Sequence, residues 1–298
     1  MCWGFSFPLM KGLLLMQERL LPEASAWFIT FETLTVRFAL ATALIALMCA
    51  GRLRSLTRPE IKLGVGLGVF AGVGTVFQMV GLGKTLASTS AFLTQFYVLL
   101  LPIFVAVARR KWPSAVLVGC CVLVVVGMSV LCHVDWRDFR LGQGEWLTLL
   151  AAVIFAGDIL WLNKREFVGT DKLRATVVMF ATIAVLFAPL SVFTAPPSGG
   201  LMAVYRQPGL IAMLAALVVV CTLVAFTLMN VWQPHIPATH AGLVYCAEPV
   251  FASLYALFLP EMLARFGQFQ YANELLTSSL WVCGGLITLA NALVQYDR

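Results

Sequence analysis

Four ionisable side chains interrupt otherwise apolar runs: Lys11, Arg37, Asp158 and Glu248. A charge near the centre of a bilayer costs at least about 2.5–3.5 kcal/mol, so such a group faces protein, water or another charge, and it marks a solute or proton pathway. For Glu248 two readings stay open. It carries a proton or counters a charge on a solute, or it forms a buried pair with Arg37 or Lys11 that fixes helix packing. Asp158, with Asn163 and Lys164 a turn and a half further on, suits a snorkelling or capping role at the end of a span. Two prolines add free backbone groups. Pro102 removes the helical donor to the carbonyl of Val98 and Pro249 the donor to that of Tyr245, so each marks a helix break that needs water or protein beside it. Gln95 and Tyr97 precede the first break and Tyr245 the second, positions suited to hydrogen-bonding a solute, whereas Ser90 and Thr94 suit bonds back to their own helix. His240, near the start of its run, suits an interface. Gly64, Gly68 and Gly72 share one helical face and predict close helix packing, with a sliding contact as the other reading. Gln78, on a different face of that helix, is a further cavity candidate.

The elements that position these residues follow from composition. Of 298 residues, 61% are hydrophobic and 11% charged, against about 45–50% and about 25% in a soluble domain. A water-soluble globule of this composition would expose large apolar patches, and a disordered chain needs low hydrophobicity. The eight cysteines lie mostly inside apolar runs, where thiols pack as small hydrophobes, so a disulfide scaffold is excluded too. The chain is an all-α integral membrane protein. A span needs roughly 20 apolar residues, and about ten runs qualify, near 1–17, 31–50, 61–83, 86–108, 113–131, 144–163, 173–193, 207–229, 238–260 and 276–295. Runs such as Val116–Leu131 are apolar on every side, which excludes the alternating strands of a membrane barrel.

Cationic loops are retained in the cytoplasm. With the amino terminus inside, twelve Lys and Arg fall on the cytoplasmic side, in the clusters Arg52–Lys62, Arg109–Lys111 and Lys164–Arg174 and at Arg298, against six on the other side. Both termini are therefore expected in the cytoplasm. The net charge of +6 reads as topological bias and attraction to anionic lipid, without a nucleic-acid partner. Apolar residues begin at Met1, so a cleaved signal peptide is not expected, and the shortness of the first span suits a start further upstream.

The halves of the chain repeat. An offset of 147 places Pro102-Ile103-Phe104 on Pro249-Val250-Phe251 and Thr75 on Thr222; offsets of 142 and 158 align Val36–Ala39 with Val178–Ala181 and Gly127 with Gly285. The drift fits unequal loops, including a long one around Pro260–Leu275. Repeats 1–131 and 144–298, joined by 132–143, each hold an odd number of spans and so would be antiparallel. Trp3-Gly4, Arg37-Phe38, Pro102, Glu248-Pro249-Val250-Phe251, Gly127 and Gly285, in this order and spacing, resemble the drug/metabolite transporter superfamily, EamA type. The resemblance implies ten helices in two inverted five-helix repeats around a central cavity, and export of a small metabolite such as an amino acid or related solute. The pathway residues expected from it and from the charges are Trp3, Lys11, Arg37, Gln78, Gln95, Tyr97, Tyr245 and Glu248.

Catalytic motifs, metal-ligand spacings and phosphate-binding loops are absent from the sequence, so no cofactor is expected and a gradient of protons or counter-solute would have to supply energy. The expectation is a multi-pass secondary transporter of the bacterial inner (plasma) membrane, and not an enzyme. An integral membrane enzyme acting on lipid, with His133, Asp135 and Asp138 at one interface, and a sensor or scaffold are the rival readings.

Overall fold

The computed structural model describes residues 1–110, 112–131, 141–197, 204–245, 247–275 and 278–296. Most of the expected connecting segment 132–143 lies outside them, as do Lys111, Arg298 and the group His133, Asp135 and Asp138. Every regular element among the described residues is helical. The helices are α1 (Cys2–Leu20), α2 (Ala26–Met48), α3 (Arg58–Gly83), α4 (Ala87–Thr94), α5 (Tyr97–Arg109), α6 (Ala115–Leu131), α7 (Gln143–Leu162), α8 (Lys172–Phe193), α9 (Pro208–Ala216), α10 (Ala225–Trp232), α11 (Ala238–Tyr245), α12 (Glu248–Ala256), α13 (Leu259–Gly267) and α14 (Ser278–Tyr296). A π-helical stretch, Leu217–Val224, joins α9 to α10. Among the described residues six stretches are long and apolar enough to cross a membrane, or seven if α12 and α13, bent by 52°, count as one span. Outward-facing Leu47, Val107, Val185 and Phe193 are more than two-thirds exposed, as a surface bathed in hydrocarbon requires.

Local chemistry sets the ends. The Ser25 hydroxyl accepts from the Phe28 amide at 3.1 Å and starts α2 at Ala26, earlier than the expected 31. Thr57 and Glu60 form a capping box at the start of α3. Asp171 caps α8 through the Leu173 and Arg174 amides at 2.9 and 3.3 Å.

The expected ninth span, 238–260, is broken into α11 and α12 at the Tyr245–Glu248 junction, and Pro249 stands in the first turn of α12, where its missing amide costs no helical bond. In the expected fourth span the break at Pro102 is corrected: Pro102 stays inside α5, and the interruption lies upstream of it, between Thr94 and Tyr97. The expected long loop around Pro260–Leu275 is corrected: its first part is α13, which begins with Leu259-Pro260, buries Leu259 and Leu263, exposes Glu261 and Arg265, and ends on the left-handed Gln268 at φ 55°.

Helix packing follows a regular pattern. α2 lies on α8, α3 on α7 and α8, α6 on α14, α4 on α7 and α12, and α5 on α11; α1 lies on α12 and on the stretch from α9 through the π segment, which also contacts α2. The glycine stripe of α3 faces α8. A Cβ on Gly64 would come within 2.5 Å of the Ala175 carbonyl and one on Gly68 within 2.6 Å of the Thr182 Cβ. Gly4 does the same for α1, where a Cβ would meet the Glu248 carbonyl and the Ala252 amide at 2.8 Å.

The two ends of the bundle are tied differently. At one, Glu60 accepts from the Asp171 amide at 3.1 Å and pairs with Arg174 at 3.4 Å, which joins α3 to α8. Outside the spans at this end, a hydrogen bond from Lys62 holds the Glu166 carboxyl below the usual carboxylate range. At the other end, Glu274 accepts from the Ala87 amide at 3.0 Å and so caps α4, while Thr85 donates to Glu145 at 2.7 Å.

Candidate functional site

Between residues 1–131 and 144–298 lies a cavity of about 70 Å³. That volume fits a small ionic group, whereas pockets for whole drug-sized molecules run to about 300–1,000 Å³. Trp3, Ser6, Phe7 and Met10 of α1 form one wall, and Arg37 of α2, Thr75 and Gln78 of α3, Thr94 and Tyr97 continue it. The second half supplies Phe155, Asp158 and Ile159 of α7, Phe226 and Met229 of α10, Tyr245 and Glu248. The interruptions between α4 and α5 and between α11 and α12 both lie at this level, since Thr94, Tyr97, Tyr245 and Glu248 flank them.

Hydrogen bonds tie the walls together, both within each half and, through Gln95 and Arg37, across them. Gln95 Nε2 donates to Glu248 Oε2 at 3.1 Å, linking the two breaks. Arg37 Nε donates to Thr222 Oγ1 at 2.5 Å, and its Nη1 lies 3.5 Å from Met10 Sδ. Thr222 sits in the π segment and donates in turn to the Leu217 carbonyl at 2.9 Å, a span of five residues that matches the widened helix. Gln78 Nε2 donates to Thr94 Oγ1 at 3.1 Å, while that hydroxyl donates to the Ser90 carbonyl at 2.8 Å. Tyr245 donates to Gln233 Oε1 at 2.9 Å, and Gln233 Nε2 reaches the Ile159 carbonyl at 3.4 Å. Trp3 stacks edge-on against Phe226 and Tyr245, with centroids 5.5 and 5.4 Å away.

The structure therefore brings Trp3, Arg37, Gln78, Tyr97, Tyr245 and Glu248 together around one space, with Gln95 behind Glu248. Lys11 is elsewhere. Its amino group donates to the Thr85 carbonyl, toward the Glu274 end of the bundle, because Lys11 follows the cavity-lining Met10 directly and projects from a different face of α1. The pairing of Glu248 with Arg37 or Lys11 is also corrected: among the described residues neither cation forms a salt bridge with it, Arg37 donating to Thr222, Lys11 to the Thr85 carbonyl, and Glu248 accepting from Gln95.

Asp158 is a second correction. It is 3% exposed and faces the cavity, so it neither snorkels nor caps; the distance along a helix to Lys164 does not say which face a residue occupies. Glu32 was missed altogether. It is buried in α2, accepts from the Tyr205 hydroxyl and lies 3.4 Å from Gln17 Nε2, away from the cavity. Its position inside the expected span 31–50 was the available signal.

No protein-family model matches the chain. Over 284 residues, 94% of this chain and 83% of the relative, it is 28% identical to an "Uncharacterized transporter" of Archaeoglobus fulgidus. A transporter is among its relatives. A solved structure described only as "Crystal structure of protein" superposes with a TM-score of 0.64 at 18% identity, covering 99% of this chain and 96% of that one, which is a likeness of fold.

Proposed function

We propose that the chain is a secondary transporter of the bacterial inner membrane, of the EamA type, which exports a small organic solute by alternating access. It spans the bilayer ten times as two inverted five-helix repeats, 1–131 and 144–298, with both termini in the cytoplasm. The observation that carries this reading is the pattern of helix contacts. If the first five spans are exchanged for the last five, the contacts between halves map onto themselves: the second span meets the seventh, the fourth the ninth and the fifth the tenth, and third-with-sixth becomes eighth-with-first. Such self-mapping is what two similar bundles around a common axis produce, and the solute then binds where the bundles meet. The cavity lies there, lined from both halves, with a broken helix contributed by each. The cationic loops near Arg52–Lys62 and Lys164–Arg174 share the Glu60 end, which is assigned to the cytoplasm.

In this reading Glu248 binds a proton or counters a cationic group, Arg37 orients the solute, and Gln78, Gln95, Tyr97 and Tyr245 hydrogen-bond it. The aromatic relative of these, Trp3, closes the wall. The small volume corresponds to a closed form that must widen to pass a metabolite. Counterflow of labelled solutes in proteoliposomes, chosen from a resistance screen in cells overproducing the protein, tests the reading. Transient accumulation of label against its gradient is expected. A purified chain that gives no counterflow but cleaves or modifies lipid would favour an enzyme instead.

A further inference from the structure

Asp158 is a buried, cavity-lining group that the alternating-access reading leaves unused. Its Oδ1 has no hydrogen-bond partner among the described residues, although the side chain is 3% exposed and borders the cavity. A buried carboxylate oxygen left without a donor is costly, and the cost falls when a bound donor or cation supplies the missing contact. Glu248 and Tyr245 border the same cavity from other helices. Two carboxylates thus face one space of about 70 Å³, against a single guanidinium, Arg37, which Thr222 and Met10 already engage.

We propose that Asp158 and Glu248 together form a binding site for an ammonium group, so that the transported solute carries a primary amine. The ligand chemistry distinguishes this from a metal site. Hard divalent cations take about six to eight oxygen ligands, and no group of three or more His, Cys, Asp and Glu fit to hold an ion occurs among the described residues. The lining also carries aromatic rings, with Trp3 in contact with both Phe226 and Tyr245, and ring faces attract an organic cation. An ammonium supplies three donors, enough for Asp158 Oδ1 and the Glu248 carboxylate at once.

The inference rests on the cavity being the solute site, and it is tested by binding rather than flux. Saturation-transfer NMR on the full chain in detergent would compare three probes of similar size: propylammonium, n-propanol and propionate. Propylammonium should bind saturably, and the neutral and anionic probes at least tenfold more weakly. Asp158→Asn should weaken propylammonium at least tenfold, whereas Asp158→Glu should keep most of the affinity and Lys62→Ala all of it. Equal binding of the three probes, an unchanged affinity in Asp158→Asn, or displacement of propylammonium by millimolar sodium would each overturn the site. If Asp158→Asn does not elute as a single species, the comparison of probes on the unmodified chain decides alone. Selective binding without counterflow of any solute sinks the transport reading and keeps the site; counterflow without selectivity for amines does the reverse.

Discussion

Arg37 is held by a threonine 185 residues away in sequence, and that contact could not be read from either segment. A charge in an apolar run announces itself, as Arg37 and Glu248 do, but its partner depends on which helices meet. Thr222 is hidden further because the π stretch Leu217–Val224 shifts its face relative to a regular helix. Replacing Thr222 by Val leaves the buried Nε of Arg37 without an acceptor, a loss of about 1–3 kcal/mol. Thermal unfolding in detergent should register it, with Thr222→Ser close to the parent. Glu248 makes a different prediction. Glu248→Gln keeps the shape and can still meet Gln95, so expression should be normal while pH-driven flux in proteoliposomes falls at least tenfold. Flux equal to the parent would remove Glu248 from the mechanism. The misjudged residues, Asp158 and Lys11, share one cause: apolar runs carry no amphipathic pattern that tells an inward face from an outward one.

Helix identity was legible because length and hydrophobicity suffice for it, and the glycine stripe because small residues at every fourth position share a face. Gly68→Val should lower stability by about 1–3 kcal/mol through overpacking, since its Cβ would lie 2.6 Å from that of Thr182. Gly83→Ala, with nothing within 4 Å, should leave the melting temperature nearly unchanged. The broken ninth span was legible from Pro249, whereas α13 was not, because its polar Glu261 and Arg265 resemble loop composition when the partner of its apolar face is unknown. Behind α13 the chain returns to the bundle and Glu274 caps α4. If this end opens during transport, that cap must separate. A disulfide between cysteines placed at Ser88 and Glu274, in a chain cleared of its own eight cysteines, should stop flux, and reduction should restore it. Undiminished flux in the oxidised form would mean that the contact stays closed throughout the cycle.

At the scale of the whole molecule, the proposed repeat rests in sequence on drifting offsets alone, and the contacts of α1 with α12 and of α4 with α7 support it as exchangeable pairs. Two halves joined around a small cavity can rock about it, and the residues between them then face each side of the membrane in turn. Gln78 borders the cavity and is buried. The most direct measurement is therefore the accessibility of a single cysteine at position 78 to an impermeant thiol reagent, in right-side-out and inverted vesicles, with and without solute. The account predicts labelling from both sides, with bound solute protecting in each orientation. Labelling from one side only, whatever solute or gradient is applied, would contradict alternating access through this cavity.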